Sequence, residues 1–327
     1  PSWVTYPATL DNRFHETGSF TRNDIHINRI IADDQGRLLA TGEKDNQFAL
    51  ARLHPDGSLD TSFGSGGIVT TNLADHGHGN DLLLQPDGKI VVVGTTATNT
   101  ADSQMLVARY QDNGSLDSSF ATNGIFTLDW DTQNSSEQAM AVGLQANGKI
   151  VIAGSGMDPQ GIIVTQLTVN GEPDIQFDDD GQVGITLNDQ SVASDLTVFD
   201  DGRILLAATI LQESFVLLEL NYHGHITSTL ATDMGNQETV NDLLVYPDGR
   251  ILLAGQANDH LAMARFQSDG ALDTSFGTLG KVYTPIGSSN SQIHRVILQP
   301  NGRLLAVGQA DNGSDQDFSI VSYQQDG

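Results

Sequence analysis

The chain contains no cysteine, which excludes disulfides, Cys-ligated zinc and thiol nucleophiles together. Basic residues are scarce: Lys plus Arg number 15 against 41 Asp plus Glu, a formal charge of -26. Nucleic acid and anionic membrane surfaces are therefore excluded as partners, while cations, neutral glycans and basic proteins remain open. Long apolar runs are missing as well. The longest, such as Leu82–Leu84 and Ile90–Val93, are strand-sized, and none approaches the roughly 20 residues that cross a bilayer, so no membrane insertion is expected. Apolar residues do not recur at i, i+3, i+4 and i+7 over any window long enough for a substantial helix. The opening segment Pro1 to Pro7 has neither a basic start nor an apolar core, as expected where a signal peptide is absent or already removed. No Gly-x-Ser-x-Gly elbow, His-Glu-x-x-His pair or phosphate loop occurs.

What the chain has instead is repetition. The stretch LDTSFGSGGIV, Leu59 to Val69, returns as Leu116–Phe126, Pro173–Val183 and Leu272–Val282, with a worn copy from Ile226 and another at Leu10–Phe20. Two turns keep the period. An Asp/Asn-Gly-Lys/Arg step places glycine at 36, 88, 148, 202, 249 and 302, and a polar-Gly turn places it at 57, 114, 171, 224, 270 and 327. The two series interleave without exception and divide the chain into units of roughly 54 residues.

Within a unit a short first run, such as Asp81–Gln85 or Asp242–Tyr246, leads into the first turn, and a dense aliphatic run follows, such as Ile90–Gly94 or Ile251–Gly255. Runs of this kind between glycine turns read as strands buried on both faces, and Asp-Gly and Asn-Gly supply the positive φ of a tight hairpin. A third strand (Phe48–Leu53, Met105–Tyr110 and their counterparts) and a fourth after the repeated motif complete a four-stranded antiparallel meander. Such a unit must pack between two like neighbours. The fold expected is all-β, a six-bladed β-propeller of four-stranded antiparallel blades spanning residues 1–327 as one domain. The N-terminal segment 1–21, carrying the copy that the last unit lacks, is expected to supply the closing strand of the sixth blade.

Gly57–Gly64 (GSLDTSFG) with Gln85–Gly94 (QPDGKIVVVG) resembles the bacterial delta-60 repeat, a propeller-forming repeat of secreted and surface proteins. The resemblance spans the chain and is weakest around Gly171 and Gly224, where Pro173 and Ile226 replace the usual leucine. It implies a propeller and a secreted or cell-surface setting, and it transfers no catalytic residue.

The motif aspartates Asp11, Asp60, Asp117, Asp174 and Asp273 recur in nearly every unit, and a site normally breaks symmetry, so they are read as turn caps beside the plugging residues Phe14, Phe63, Phe120, Phe177 and Phe276. Arg52, Arg109 and Arg265 share one third-strand position and are expected to pair with a neighbouring acid. Asp178–Gly181 and Asp311–Asp317 look like fragments of calcium loops but lack the full pattern and its distal Glu. Asn113, Asn134 and Asn312 head glycosylation sequons, a pattern of little weight in a bacterial chain.

Candidate site residues come from the face bearing the second-to-third-strand loops, which vary from unit to unit. Eight residues before each first-turn glycine lie Asn28, Asn80, Met140, Ser194, Asn241 and His294; seven before lie Arg29, Asp81, Ala141, Asp195, Asp242 and Arg295. These positions open the first strand, which in propellers lines the central channel. Ring closure would put Arg29 and Arg295 on adjacent blades. Two arginines and three aspartates can clamp a carboxylate or sugar acid, or hold a cation such as calcium on Asp81, Asp195 and Asp242; equally, they can pair with one another. His78, with His76 and His26 near it, is a weak zinc signal, and Trp130 in a crossing between units is either a stacking platform or a lid on a blade edge.

The expected function is a non-catalytic recognition or adhesion module of a secreted or surface bacterial protein, with no cofactor, binding a glycan or protein on the variable face as a monomer or as part of a larger chain. The alternative is a cation-dependent hydrolase or lactonase that draws on Asp81, Asp195, Asp242 and Asn241 as ligands and His294 or His78 as base. Propeller enzymes of that kind rely on Glu and Asn at the channel, and no Glu stands in either row.

Overall fold

The computed structural model describes residues 14, 24–73, 76–99, 102–130, 136–157, 160–187, 190–210, 214–287, 289–311 and 313–327. They form an all-β, six-bladed propeller without helices. Blade 1 consists of β1 (His26–Ala32), β2 (Leu38–Lys44), β3 (Gln47–Leu53) and β4 (Ile68–Thr71), and blade 2 of β5 (His76–Leu84), β6 (Ile90–Asn99), β7 (Asp102–Tyr110) and β8 (Ile125–Leu128). Blade 3 holds β9 (Gln138–Leu144), β10 (Ile150–Met157), β11 (Gln160–Leu167) and β12 (Gln182–Ile185), and blade 4 holds β13 (Ser191–Val198), β14 (Ile204–Ile210), β15 (Ser214–Leu220) and β16 (Ile226–Thr232). Blade 5 comprises β17 (Thr239–Val245), β18 (Ile251–Ala257), β19 (His260–Phe266) and β20 (Lys281–Thr284). Blade 6 shows three strands among the described residues, β21 (Gln292–Leu298), β22 (Leu304–Asp311) and β23 (Gln316–Tyr323). The chain divides into two compact units, residues 1–129 with blades 1 and 2 and residues 130–327 with blades 3 to 6. Apart from Phe14, the N-terminal motif copy expected to close the sixth blade lies outside the described residues.

Every blade is an antiparallel meander. The aliphatic second strands of blades 1 to 5 are buried on both faces, as their composition requires: Val91, Val92 and Val93 are fully buried, and so are Leu206 and Ala207 of blade 4, whereas β22 of blade 6 alternates buried with half-buried residues. Within each unit the cores lie between consecutive blades. Ile162, Val164 and Val151 of blade 3 pack with Leu196, Leu206 and Ala208 of blade 4, while Leu205 and Leu217 of blade 4 pack with Leu243 and Leu253 of blade 5.

The first strand of each blade carries a β-bulge at the same residue: Asn28, Asn80, Met140, Ser194, Asn241 and His294. The bulge explains the glycine that ends the apolar part of the second strand. A Cβ on Gly42, Gly94, Gly255 or Gly308 would lie 1.8–2.0 Å from the carbonyl oxygen two residues before the bulge, so in these four blades the backbones approach too closely for a side chain. Blade 4 has Ala208 at this position.

The motif aspartates and arginines form the scaffold that their recurrence suggested. In blade 1, Asp60 Oδ1 accepts the Ser62 N–H and hydroxyl, and its Oδ2 accepts Arg52 Nε at 2.8 Å. Arg52 lies over the Phe63 ring, 4.6 Å from its centroid, and reaches the Asp112 carbonyl of the next blade. Blades 2 and 5 repeat this arrangement with Arg109, Asp117 and Phe120 and with Arg265, Asp273 and Phe276. The hydrogen bonds from Ser62, and with them the Arg52 guanidinium, hold the Asp60 carboxyl at about 2. In blade 3, Gln166 and Lys149 take over the arginine's role toward Asp174.

The worn copy in blade 4 behaves differently. Thr227 and Leu230 replace the capping Asp and plugging Phe, and residues 226–232 form β16 directly rather than a loop ahead of the strand. Without the cap there is nothing to fold the loop, and a Thr-Ser-Thr run suits a pleated strand.

Candidate functional site

Placed by the bulge, Asn28, Asn241, Arg29, Asp81, Asp195, Asp242 and Arg295 of the two rows of predicted site residues are engaged with the protein itself. Bulging re-aims a side chain out of the pleat, and the bulge asparagines Asn28 and Asn241 use this to reach the next blade. Asn28 Nδ2 donates to the Gly79 carbonyl at 2.9 Å, and Asn241 Nδ2 to the Ile293 carbonyl at 2.7 Å. Both acceptors immediately precede the next bulge, so the two bonds are equivalent.

The adjacent row stitches blades as well. Asp195 Oδ2 accepts the Leu243 N–H of the next blade at 3.1 Å, and Asp242 Oδ2 accepts the Val296 N–H of the blade after at 2.6 Å. Arg295 Nη1 donates to both carboxylates, to Asp195 at 2.8 Å and also to Asp242. One guanidinium thus stands between two buried acids, at the place where a shared cation would sit. In the first unit Arg29 Nε lies 2.9 Å from Asp81 Oδ1, and Asp81 is buried. Each of the three aspartates expected to hold a metal therefore has an arginine on it. Among the described residues no group of three His, Asp or Glu side chains gathers as metal ligands.

His294 is exposed. His76, Gly77 and His78 belong to β5, opposite Ala97, Thr96 and Thr95. Burial pushes the His78 imidazole pKa down, against the pull of Glu43. Trp130 is half-buried, and a Cβ on Gly184 of β12 would lie 2.7 Å from its ring. The tryptophan therefore lies on the outer strand of blade 3, as a lid over a blade edge would.

Glutamates do approach this region, one step beyond the rows counted from the sequence. Three residues before the bulge, Glu137 in blade 3 and Glu238 in blade 5 are buried, at the position of Ser191 in blade 4 and Ser291 in blade 6. Glu238 is 2 % exposed. Its Oε1 accepts the Met234 N–H at 2.6 Å, and its Oε2 is buried without a hydrogen-bond partner among the described residues. Burial, reinforced by Asp233 nearby, raises its carboxyl to about 7. Counting eleven residues back from the first-turn glycine would have found both glutamates.

The connections on this face differ between blades. Blades 1 and 5 close with two-residue turns, Asp45–Asn46 and Asn258–Asp259, with all four residues at positive φ, while the hairpin of blade 2 extends through Asn99 and Asp102. The Asn258 side chain secures the crossing into blade 5: its Oδ1 accepts the Asn236 N–H and its Nδ2 donates to the Met234 carbonyl.

Comparison with known proteins agrees with this architecture. In fold, the chain is similar to a catalytically inactive virginiamycin B lyase from Staphylococcus aureus solved with quinupristin, at 16% identity and a TM-score of 0.58, over 94% of this chain and 86% of that one. It is also similar to a glucose dehydrogenase, at 11% identity and a TM-score of 0.56, over 92% and 99%, and to Sqt1 from Chaetomium thermophilum, at 13% identity and a TM-score of 0.55, over 91% and 70%. At such identities the likeness is one of fold alone. No curated protein matches the sequence. Residues 36–63, 85–120, 145–177 and 247–276 match a family model described as "Domain of unknown function (DUF5122) beta-propeller", and in sequence as in fold the chain is built of β-propeller repeats.

Proposed function

We propose that the chain is a non-catalytic recognition module, binding a glycan or a protein through the loops that join the second and third strands, in a secreted or surface-attached protein of the delta-60 repeat type. The observation that carries this reading is the engagement of the polar rows: Arg295 with Asp195 and Asp242, and Arg29 with Asp81. Charges committed to one another and to backbone N–H groups hold neighbouring blades in register. Ionised partners of this kind resist recruitment, because stripping one leaves the other buried and uncompensated. Diversity then falls to the loops, which a rigid scaffold can vary at little cost. The matches to the propeller family model are compatible with the delta-60 reading.

A cation-dependent hydrolase is the competing reading. It would need Asp81, Asp195 and Asp242 to exchange their arginines for a metal. The melting temperature, measured with EDTA and with added calcium or zinc, separates the two. A recognition module shows no metal-dependent shift, in the parent or in Asp81→Ala combined with Asp242→Ala. A metal-dependent rise in the parent that disappears in the double variant overturns the proposal in favour of the hydrolase.

A further inference from the structure

The opposite ends of the blades, where the two glycine turns lie, look uniform in the sequence, but one sector departs from the pattern. At the residue two before the second-turn glycine, blades 1, 2, 5 and 6 carry Pro55, Asp112, Ser268 and Gln325, while blade 4 carries Tyr222, 57% exposed. Two residues after the start of the motif, Thr61, Ser118 and Thr274 are the rule, and blade 3 has Ile175, 73% exposed. Ile226, 44% exposed, follows Tyr222 on the same turn.

The segments that carry Ile175 and Tyr222 are joined by direct contacts between blades 3 and 4. The Asp178 N–H donates to the His223 carbonyl at 3.0 Å, and His223 Nδ1 lies 2.9 Å from the Gln176 carbonyl oxygen. Beneath them, a Cβ on Gly224 would lie 2.9 Å from the Phe177 ring. The Tyr222 and His223 rings are 3.9 Å apart. The same two blades have lost the repeated Arg–Asp pair, with Gln166 and Glu219 in the arginine position. Exposed apolar surface has been gained in one sector, which self-packing does not account for.

We infer that this sector of blades 3 and 4 is a protein-docking patch, with Ile175, Tyr222 and Ile226 at its centre, for a partner segment whose aliphatic residues are flanked by lysine or arginine. The flanking charge follows from the rim. Asp178, Asp179 and Asp180 border the patch on the motif side and Asp200 on the first-turn side, all of them exposed, while the neighbouring Asp201 is paired with Arg203. An apolar, aromatic centre inside a charged rim is the anatomy of a protein interface, and the sign of the rim selects the partner. A second copy would bring a like-charged rim from a chain of net charge -26, so self-association is disfavoured. This surface lies at the other end of the strands from the variable loops and does not depend on the function proposed for them.

The test uses the full chain and three synthetic peptides of equal length, followed by fluorescence anisotropy: an aliphatic core flanked by lysines, the same core flanked by glutamates, and a polar sequence with the same lysines. The first is expected to bind, and to weaken about tenfold with Tyr222→Ser combined with Ile175→Thr. Ser268→Thr with Thr274→Ser, at the matching positions of blade 5, should leave binding unchanged. His223→Asn, which installs the residue found at Asn113 and Asn170, gives a second reading at the patch, and melting temperatures verify that every variant is folded. Absence of binding, equal binding of the glutamate-flanked or the polar basic peptide, indifference to the blade 3 and 4 substitutions, or self-association through this surface would each overturn the inference.

Discussion

Glu238 accepts the N–H of Met234 through one carboxylate oxygen while its other oxygen lies buried without a partner among the described residues. The group is held at about 7, above its ordinary 4.5, by burial first and by the nearby Asp233. A carboxyl raised on folding binds its proton more tightly in the folded than in the unfolded chain. Its contribution to stability is full below about 4.5 and is lost as pH rises through about 7. Thermal unfolding of the parent should therefore weaken between pH 5 and 8 more steeply than that of Glu238→Gln, which cannot ionise. Parallel pH profiles would show that the carboxyl does not titrate in this window.

Arg295 provides a second test. Its head group is about one-third exposed, while Asp195 and Asp242 are buried. Replacing it with leucine removes the cation from between two acids and should cost about 2 kcal/mol, less than for a fully buried pair because solvent partly screens the site. Added calcium should raise the melting temperature of Arg295→Leu and leave that of the parent unchanged, since the vacated place lies between two carboxylates. A calcium response in both proteins would place the ion elsewhere.

The architecture was legible in the sequence because each turn needs a particular residue. Gly57, Gly88 and their counterparts all sit at positive φ, and this requirement fixed the period and with it the blades. The bulge was not legible, since Asn28, Asn80 and Asn241 look like ordinary strand residues in a linear string. Its only trace was the glycine closing the second strand, at Gly42, Gly94, Gly255 and Gly308. Because of the bulge, the Asn28 and Asn241 side chains, candidates for a ligand from their spacing, bond to the next blade. The aspartates were found at the right positions, and pairing was weighed for them, but which arginine pairs with which acid depends on side-chain reach rather than on spacing. The tyrosine and isoleucine of blades 3 and 4 are readable as departures from the repeat, at positions where the other blades carry Pro55, Asp112 and Ser268 or Thr61, Ser118 and Thr274.

The motif aromatics should differ in weight from blade to blade. Phe276 is fully buried, and a Cβ on Gly327 would lie 3.1 Å from its ring. In blade 4 the corresponding residue is Leu230, only partly buried and packed against Gly270 at the same place. Phe276→Ala should cost about 3–5 kcal/mol and Leu230→Ala about 2 kcal/mol, as read from urea denaturation. Equal losses would mean that the shortened blade 4 turn relies on its plug as heavily as the others do.

Phe14 stands to Gly57 as Phe276 stands to Gly327: a Cβ on Gly57 would lie 2.8 Å from its ring. Phe14 therefore serves the turn of blade 1 as each motif phenylalanine serves the turn that follows it, and from the sequence the strand after that copy is expected to complete the sixth blade. Blade 6 shows three described strands, with Phe318 73% and Ile320 57% exposed, whereas their counterparts in blade 4, Phe215 and Leu217, are buried. A phenylalanine on a bare edge contributes little, so the two possibilities separate cleanly. If residues 1–21 supply the fourth strand, Phe318→Ser should cost about 3 kcal/mol in the full chain. Deleting residues 1–21 should then lower stability by at least as much and abolish the further effect of Phe318→Ser, because both changes act on one contact. If Phe318→Ser costs less than about 0.5 kcal/mol, that face is solvent-exposed and the N-terminal copy acts on Gly57 alone.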